Sequence, residues 1–439
     1  MTGARMSALR VLNACRQSGA WADAALAAEL KRESLPAADA ALTSRIVYGV
    51  LQNRMLLDYY LAAYCTQRLD HLQQPLPDVL RIGAYQILLL DKVPDSAAVN
   101  ESVELAKASK RGAAAGLVNA VLRRLSKNKA ALPPLPRDAV ERLSVETSHP
   151  VWLTERMLSL LGEEEAAAFL RGNNAPAPVC VQVNPLKTTA DALLRELRGT
   201  GVAAEPHPWA PDCLELTGVG DLTTLPAFYR GEFLVQDAAA RLASLVAGVG
   251  PDLRVLDVCA APGGKSFSAA FAMGGRGAIV ACDVHENKLK RIRDGAARLG
   301  LEGIETTAAD GRVFREDWAE AFDVVLCDVP CSGLGIIRKK PDVRYKDPAA
   351  LAALPLIQRA ILANAARYVR PGGVLVYSTC TVLPEENEAV TDAFLRETAA
   401  FRYEPFTLPA PVGETEGRLT LWPQRHETDG FYLAKLRKE

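Results

Sequence analysis

Apolar positions up to about residue 130 recur at helical spacing. Ile46, Val50 and Met55 fall near one stripe, Val99, Val103 and Ala106 on a second, and Val118, Val121, Leu122 and Leu125 on a third. Pro94-Asp95-Ser96 predicts a helix start with Ser96 as its cap, and alanine-rich composition supports helix throughout this region. Leu132-Pro133-Pro134-Leu135-Pro136 cannot continue a helix and predicts an extended spacer. Beyond it the pattern mixes. A helix over 152–161, a strand at Val179-Cys180-Val181-Gln182-Val183-Asn184, a helix over 189–197 and a β-like stretch at Gly231-Glu232-Phe233-Leu234-Val235 predict a small α+β unit. From 236 onward short apolar runs alternate with helical patterns, which predicts a parallel sheet flanked by helices. The chain thus divides into an all-α segment over 1–135, an α+β subdomain over 146–235 and an α/β domain over 236–439.

Composition changes this picture little. Of 439 residues 49% are hydrophobic and 23% charged, the balance of an ordinary globular chain. No uninterrupted apolar run approaches a membrane span, and the N-terminal residues lack a secretory pattern, so a cytoplasmic protein with no membrane partner is expected. Nine scattered cysteines then read as reduced thiols, and with no Cys-x-x-Cys pair no metal site is expected. The formal net charge is −1 but is unevenly spread. Residues 1–140 carry 18 Lys and Arg against 12 Asp and Glu, a balance of +6 that leaves −7 for the rest. Arg338, Lys339, Lys340, Arg344 and Lys346 crowd together after Cys331. Such a strip suits a phosphate backbone, although charge alone favours a solvated loop. His149-Pro150 reads as the start of a domain, with a hydrogen-bonded structural histidine.

Candidate chemistry gathers at strand ends, where open α/β sheets place ligands. The turn Cys259-Ala260-Ala261-Pro262-Gly263-Gly264-Lys265 follows a strand over 254–259 and opens a helix, and its glycines let a ligand approach the backbone closely. The next strand ends in Asp283, 19 residues after Gly264, where nucleoside pockets put the acid that binds ribose hydroxyls. A third strand end supplies Asp310, placed for an adenine edge. The turn lacks G-x-G-x-x-G and a Walker lysine pattern, so neither a nicotinamide cofactor nor ATP is favoured. Two further strand ends, Asp328-Val329-Pro330-Cys331-Ser332 and Ser378-Thr379-Cys380-Thr381, each present a cysteine in a polar turn. Cys259, Cys282 and Cys327 lie in apolar strands and read as inert core. A thiolate adding to carbon-6 of cytosine makes carbon-5 nucleophilic toward a sulfonium methyl donor, and a carboxyl group such as Asp328 can face the ring. Residue physics does not choose between the two thiols.

These motifs resemble a known family. The turns at 257–265 and 328–333, together with Ser378-Thr379-Cys380-Thr381 followed by Pro384-Glu385-Glu386-Asn387, look like the signature of RNA cytosine-C5 methyltransferases. The N-terminal segment resembles the antitermination-factor NusB fold through Arg81-Ile82-Gly83-Ala84-Tyr85-Gln86-Ile87-Leu88, Val93-Pro94, Val99-Asn100-Glu101-Ser102-Val103 and Asn119-Ala120-Val121-Leu122-Arg123-Arg124. Asp429-Gly430-Phe431-Tyr432 also fits, so the resemblance covers essentially the whole chain. It implies a NusB-like RNA-binding domain and a Rossmann-like methyltransferase domain with S-adenosylmethionine held by Cys259 to Lys265, Asp283, Asp310 and Asp328. It also implies 16S rRNA as partner, with cytosine 967 as target, a monomer, and no DNA. By the same resemblance Cys380 is the nucleophile and Cys331 assists product release. Lys340 departs from the family pattern, where His or Asn is expected before Pro341-Asp342. The competing readings are a DNA cytosine methyltransferase using Cys331 and a non-catalytic RNA-binding scaffold built on the helical segment.

Overall fold

The computed structural model describes residues 3–18 and 20–439, and the chain forms two compact units. One comprises Met1–Ala175 with Lys339–Lys346, the other Pro176–Arg338 with Asp347–Glu439.

The first unit is helical. Helices Ala4–Ser18, Ala22–Glu33, Ala37–Gln52, Arg54–Ala62, Leu76–Leu89, Asp95–Ala108 and Ala115–Lys127 are followed by Ala139–Thr147, Val151–Leu161 and Glu163–Gly172. Its core contains Ile46, Val50, Leu80, Ile82, Val118, Leu122 and Leu125, all essentially inaccessible. Each such side chain removed from water stabilises the fold by about 1.5–3 kcal/mol. Helix Leu76–Leu89 is buried along most of its length, and at Gly83 a β-carbon would lie 2.4 Å from Leu122. Arg81, in the same motif, bridges Asp58 and Asp78 at 2.7 Å each. Two sequence expectations fail here. Met55 does not continue the Ile46 stripe, because the helix ends at Gln52 and a new one starts at Arg54. Ser96 is not a cap: the helix begins at Asp95, whose carboxylate takes hydrogen bonds from Ser126 (2.7 Å) and Lys129 (2.8 Å).

The basic strip is the larger correction. Arg344 is neither solvated nor turned toward a ligand; it is completely buried in the helical unit. Its guanidinium donates to the carbonyls of Gln52 (3.2 Å), Thr147 (3.1 Å), Ser148 (3.4 Å) and Asn173 (3.4 Å) and to Asn174 Oδ1 (2.8 Å). Gln52 and Thr147 close their helices and Asn173 caps a third, so the cation sits where helix C-termini collect unpaired carbonyls and negative dipole ends. Tyr345 donates to the Leu51 carbonyl at 2.8 Å, and Arg54 lies 3.9 Å over its ring. Lys340 pairs with Asp23 at 3.0 Å. His149 is buried as well, with Nδ1 3.0 Å from Thr147 Oγ1, and burial holds it neutral.

The second unit holds two main sheets. Strands β1 (Val179–Val183), β2 (Ala203–Pro206), β3 (Cys213–Thr217) and β4 (Phe233–Val235) form an antiparallel sheet in the order β2-β3-β1-β4. Helix Ala190–Gly199 packs on it through Leu193 and Leu197. The larger sheet contains β5 (Arg254–Asp257), β6 (Ala278–Asp283), β7 (Ile304–Ala308), β8 (Phe322–Asp328) and β9 (Val369–Thr379), all parallel, in the order β9-β8-β5-β6-β7. After β10 (Phe401–Tyr403), a hairpin of β11 (Phe406–Leu408) and β12 (Gly413–Thr415), and β13 (Arg418–Leu421), the strand β14 (Phe431–Lys438) runs antiparallel beside β9. It also pairs with β10 and β13. The sheet is therefore mixed, not purely parallel. Apolar runs mark buried strands without encoding their direction.

Helices Ala238–Val246, Gly264–Ala272 and Glu286–Leu299 cover one face of the large sheet, and Leu354–Ala366 and Glu388–Glu397 cover the other. The stretch Pro348–Ala366 has the length and hydropathy of a membrane span. Arg359 interrupts it, and Ile361, Leu362 and Ala365 are buried in this sheet's core.

Candidate active site

Two turns of the large sheet meet because β8 and β9 are adjacent and parallel, with Asp328 in register with Ser378. Chains leaving both strands in the same direction place Cys331 and Cys380 side by side, their sulfurs 3.2 Å apart. The loop after Cys331 is clasped to the one after Cys380. Gly335 N–H donates to the Cys380 carbonyl (3.0 Å) and its own carbonyl accepts from Gly430 N–H (2.8 Å). A β-carbon on Gly335 would stand 2.0 Å from the Gly430 carbonyl oxygen. This backbone contact explains the glycine of Asp429-Gly430-Phe431-Tyr432.

The Pro384-Glu385-Glu386-Asn387 motif buckles the Cys380 turn. Asn387 accepts from Thr379 Oγ1 (2.6 Å) and donates to the Thr381 carbonyl (3.1 Å), while Ser332 Oγ donates to Thr381 Oγ1 (2.7 Å). Tyr377 OH donates to the Glu386 carbonyl at 2.6 Å. Glu386 Oε2 accepts from Ser332 N–H (2.8 Å) and from Gln358 Nε2 (2.9 Å).

Asp328 is held from both sides, accepting from Lys265 Nζ (2.6 Å) and Ser378 Oγ (2.7 Å). Burial alone would pull the Lys265 ammonium down, but Asp328 facing it carries its pKa above the ordinary value. The thiols diverge. The hydrogen bond shared with Cys331 holds Cys380 below the usual thiol range against burial and the charge of Asp328, and Lys265 adds a smaller pull in the same direction. The same bond, burial, and the charges of Cys380, Glu386 and Asp328 push Cys331 well above it. The two sulfurs share one hydrogen bond, so one of them can give up its proton while the other keeps it, which is what nucleophilic attack requires.

The glycine turn lies next to this pair. Gly263 has φ 112°, a conformation that excludes a side chain, and its N–H folds back onto the Ala260 carbonyl at 2.6 Å. A cavity of about 230 Å³ is lined by Cys259, Ala260, Ala261, Pro262, Gly264, Lys265 and Asp328, with Asp257, Gln236 and Asp237. Gly263 belongs to the turn but not to this wall. Asp283 and Asp310 end β6 and follow β7 as expected but do not line the cavity: Asp283 accepts from His285 N–H (2.9 Å), and Asp310 chelates Arg312 (2.7 and 3.0 Å). Cys282 and Cys327 are buried, and burial raises the thiols of Cys259, Cys282 and Cys327, leaving them unreactive.

Gln236 and Asp237 were not singled out from the sequence, and Asp257, Ser378 and Glu386 stood in its motifs without a role of their own. Asp237 had a legible signal, since it precedes an alanine-rich helix and caps it by accepting from Ala239 N–H at 2.9 Å. The cavity fits a nucleoside cofactor with an amino-acid end. Asp257 is wholly buried with one carboxylate oxygen lacking a partner, and Gln236 Oε1 is likewise unpaired, so acceptors await donors beside a glycine turn.

Helical unit, small antiparallel sheet and mixed sheet with a glycine turn together make a methyltransferase carrying two accessory folds. Three family descriptions match in chain order: the NusB family over residues 2–127, the ferredoxin-like domain of RsmF/B-like methyltransferases over 149–223, and 16S rRNA methyltransferase RsmB/F over 248–437. The chain is 36% identical to the probable ribosomal RNA small subunit methyltransferase B of Bacillus subtilis, over 100% of this chain and 99% of that one. It is 34% identical to ribosomal RNA small subunit methyltransferase B of Pseudomonas putida, over 99% and 98%. Among solved structures, the crystal structure of PH0851 superposes with TM-score 0.85 and 28% identity over 99% of this chain and 98% of that one. A methyltransferase homolog from Pyrococcus horikoshii covers 70% of this chain and 100% of its own, with TM-score 0.59 and 29% identity. The chain belongs to the RsmB/F family of 16S rRNA methyltransferases, whose methyl donor is S-adenosylmethionine.

Proposed function

We propose that this protein methylates carbon-5 of one cytosine in small-subunit rRNA, at position 967, through a transient enzyme–RNA bond. The observation that carries this reading is the 3.2 Å pair of unlike thiols beside Lys265 and Asp328. S-adenosylmethionine, when bound, supplies the electrophilic methyl group. Residues 259–265 with Asp257 and Asp328 would hold it, with Asp283 and Asp310 at the neighbouring strand ends for its ribose and adenine. The target base leaves its stack to reach the thiols, at a cost of about a few kcal/mol. Cys380 adds to carbon-6 and makes carbon-5 nucleophilic. Asp328, kept in place by Lys265 and Ser378, faces the exocyclic amine and N3 of the ring. Once carbon-5 is methylated its proton passes to solvent, the Cys380–carbon-6 bond breaks as the ring double bond re-forms, and Cys331, which has kept its own proton, assists release by giving it to the departing Cys380 sulfur.

The helical unit recognises the RNA, and the protein acts as a cytoplasmic monomer without affinity for DNA. Bisulfite mapping of small-subunit rRNA from cells lacking the protein tests the proposal: one protected cytosine is expected to disappear. An unchanged map, or equal methyl transfer to duplex DNA and rRNA by the purified protein, counts against it.

A further inference from the structure

Two chemically identical side chains 3.2 Å apart need something to tell them apart, and the asymmetry begins on the Cys331 side. Glu386 is 1% exposed, and one of its oxygens pins Ser332 N–H, the amide that follows Cys331. Gln358 donates to that same oxygen and also to the Pro330 carbonyl (3.0 Å), the residue before Cys331. Carboxylate and amide thus brace the backbone on both sides of the thiol. The other oxygen, Oε1, is buried without a partner, so much of the negative charge stays uncompensated beside Cys331. A buried anion disfavours a second anion next to it.

We propose that Glu386 is a positioning residue that keeps the proton on Cys331 and thereby leaves Cys380 as the nucleophile. The inference rests on the assignment of Cys380 as nucleophile made above, and it adds the reason for that choice. Glu386 and Asp328 are the carboxylates acting on Cys331, whose other close neighbour is Cys380 itself. Cys380 faces Cys331, Asp328, Lys265 and Asp429. Of these, Lys265 alone is cationic and it acts on Cys380, so Glu386 and Lys265 pull the two thiols in opposite directions. Because Cys331 stays protonated it can donate to the Cys380 sulfur, and the thiolate is held by a hydrogen bond as well as by a cation.

The test reads thiol ionisation directly and needs no RNA. The intact protein is alkylated with iodoacetamide across about pH 6–10, and the two cysteine-bearing peptides are quantified by mass spectrometry. Cys380 is expected to react at least about tenfold faster than Cys331 near pH 7.5. In the Cys380→Ala background, adding Glu386→Gln should move the alkylation midpoint of Cys331 down by about one pH unit, whereas Glu386→Asp, which keeps the charge, should leave it nearly in place. Equal reactivity of the two thiols in the unaltered protein overturns the proposal, and so does an unmoved midpoint in the glutamine variant. Should that variant fail to fold, as judged by its melting curve, the comparison in the unaltered protein decides alone. If the asymmetry depends on Glu386 yet rRNA is not methylated, the function proposed above fails and this inference stands. Methylation without any asymmetry gives the converse.

Discussion

Arg344 and Lys265 are both cations withdrawn from water, and they are neutralised in different ways. Arg344 meets the carbonyl ends of helices and an asparagine oxygen, with no carboxylate among its hydrogen-bond partners in the described residues, and burial lowers its pKa to about 10 against the pull of Tyr345 and Asp342. Lys265 meets a full carboxylate at 2.6 Å and is raised instead. Dipoles spread over several backbone groups compensate a charge while leaving nothing for a ligand to exchange with. A single carboxylate makes a local pair whose field reaches the next titratable group, here Cys380. The first arrangement anchors and the second tunes.

The sharpest break of this comparison comes from the reacting end. Cys380→Ala is expected to abolish both methyl transfer and covalent complex, while Cys331→Ala should accumulate enzyme–RNA adduct on denaturing gels with labelled RNA; the reverse pattern would exchange their roles. Next is Arg344→Met, which strands the carbonyls of Gln52, Thr147 and Ser148 and should cost about 3 kcal/mol of unfolding free energy. Urea titration checks this, and a loss below about 1 kcal/mol would mean the helix ends are not what holds the cation. Lys265→Met should cut the rate about tenfold at neutral pH and shift the acidic limb of the rate profile upward by about one unit. The sign follows from the cation favouring thiolate: without it, Cys380 ionises only at higher pH. The smallest effect belongs to an ion pair near the surface. The hydrogen bond from Arg437, aided by Lys435, holds Glu404 down to about 2. Because its folded-state value lies below its unfolded one, the stabilisation is present above pH 4.5 and fades as pH falls toward about 2. Glu404→Gln should therefore cost about 1 kcal/mol or less at pH 7, after allowance for solvent screening, and nothing measurable near pH 2.

What the sequence made legible follows from range. Strand ends, the glycine turn and helical stripes are local patterns, and the turns at 259–265, 328–332 and 378–381 stand where apolar runs end. The burial of Arg344 was not legible, because a run of five basic residues looks the same whether water or helix termini receive it. Only the fold brings Gln52, Thr147 and Asn173 around one guanidinium. The Glu386 brace spans 54 residues from its Ser332 partner, so motif spacing identifies the residue without its job. The direction of β14 was hidden for a related reason: period and hydrophobicity describe a strand's faces, not which way it runs. β2 and β3 escaped as well, being only four and five residues long among proline and polar positions.

The close backbone contact of Gly430 with Gly335 ties the antiparallel strand of the large sheet to the loop that bears Cys331. Without residues 430–438 the loop bearing Cys331 lacks its far clamp, and the strand beside β9 is missing. The pairing of β8 with β9 would still bring the two turns together, but the loop after Cys331 would be fastened on one side alone.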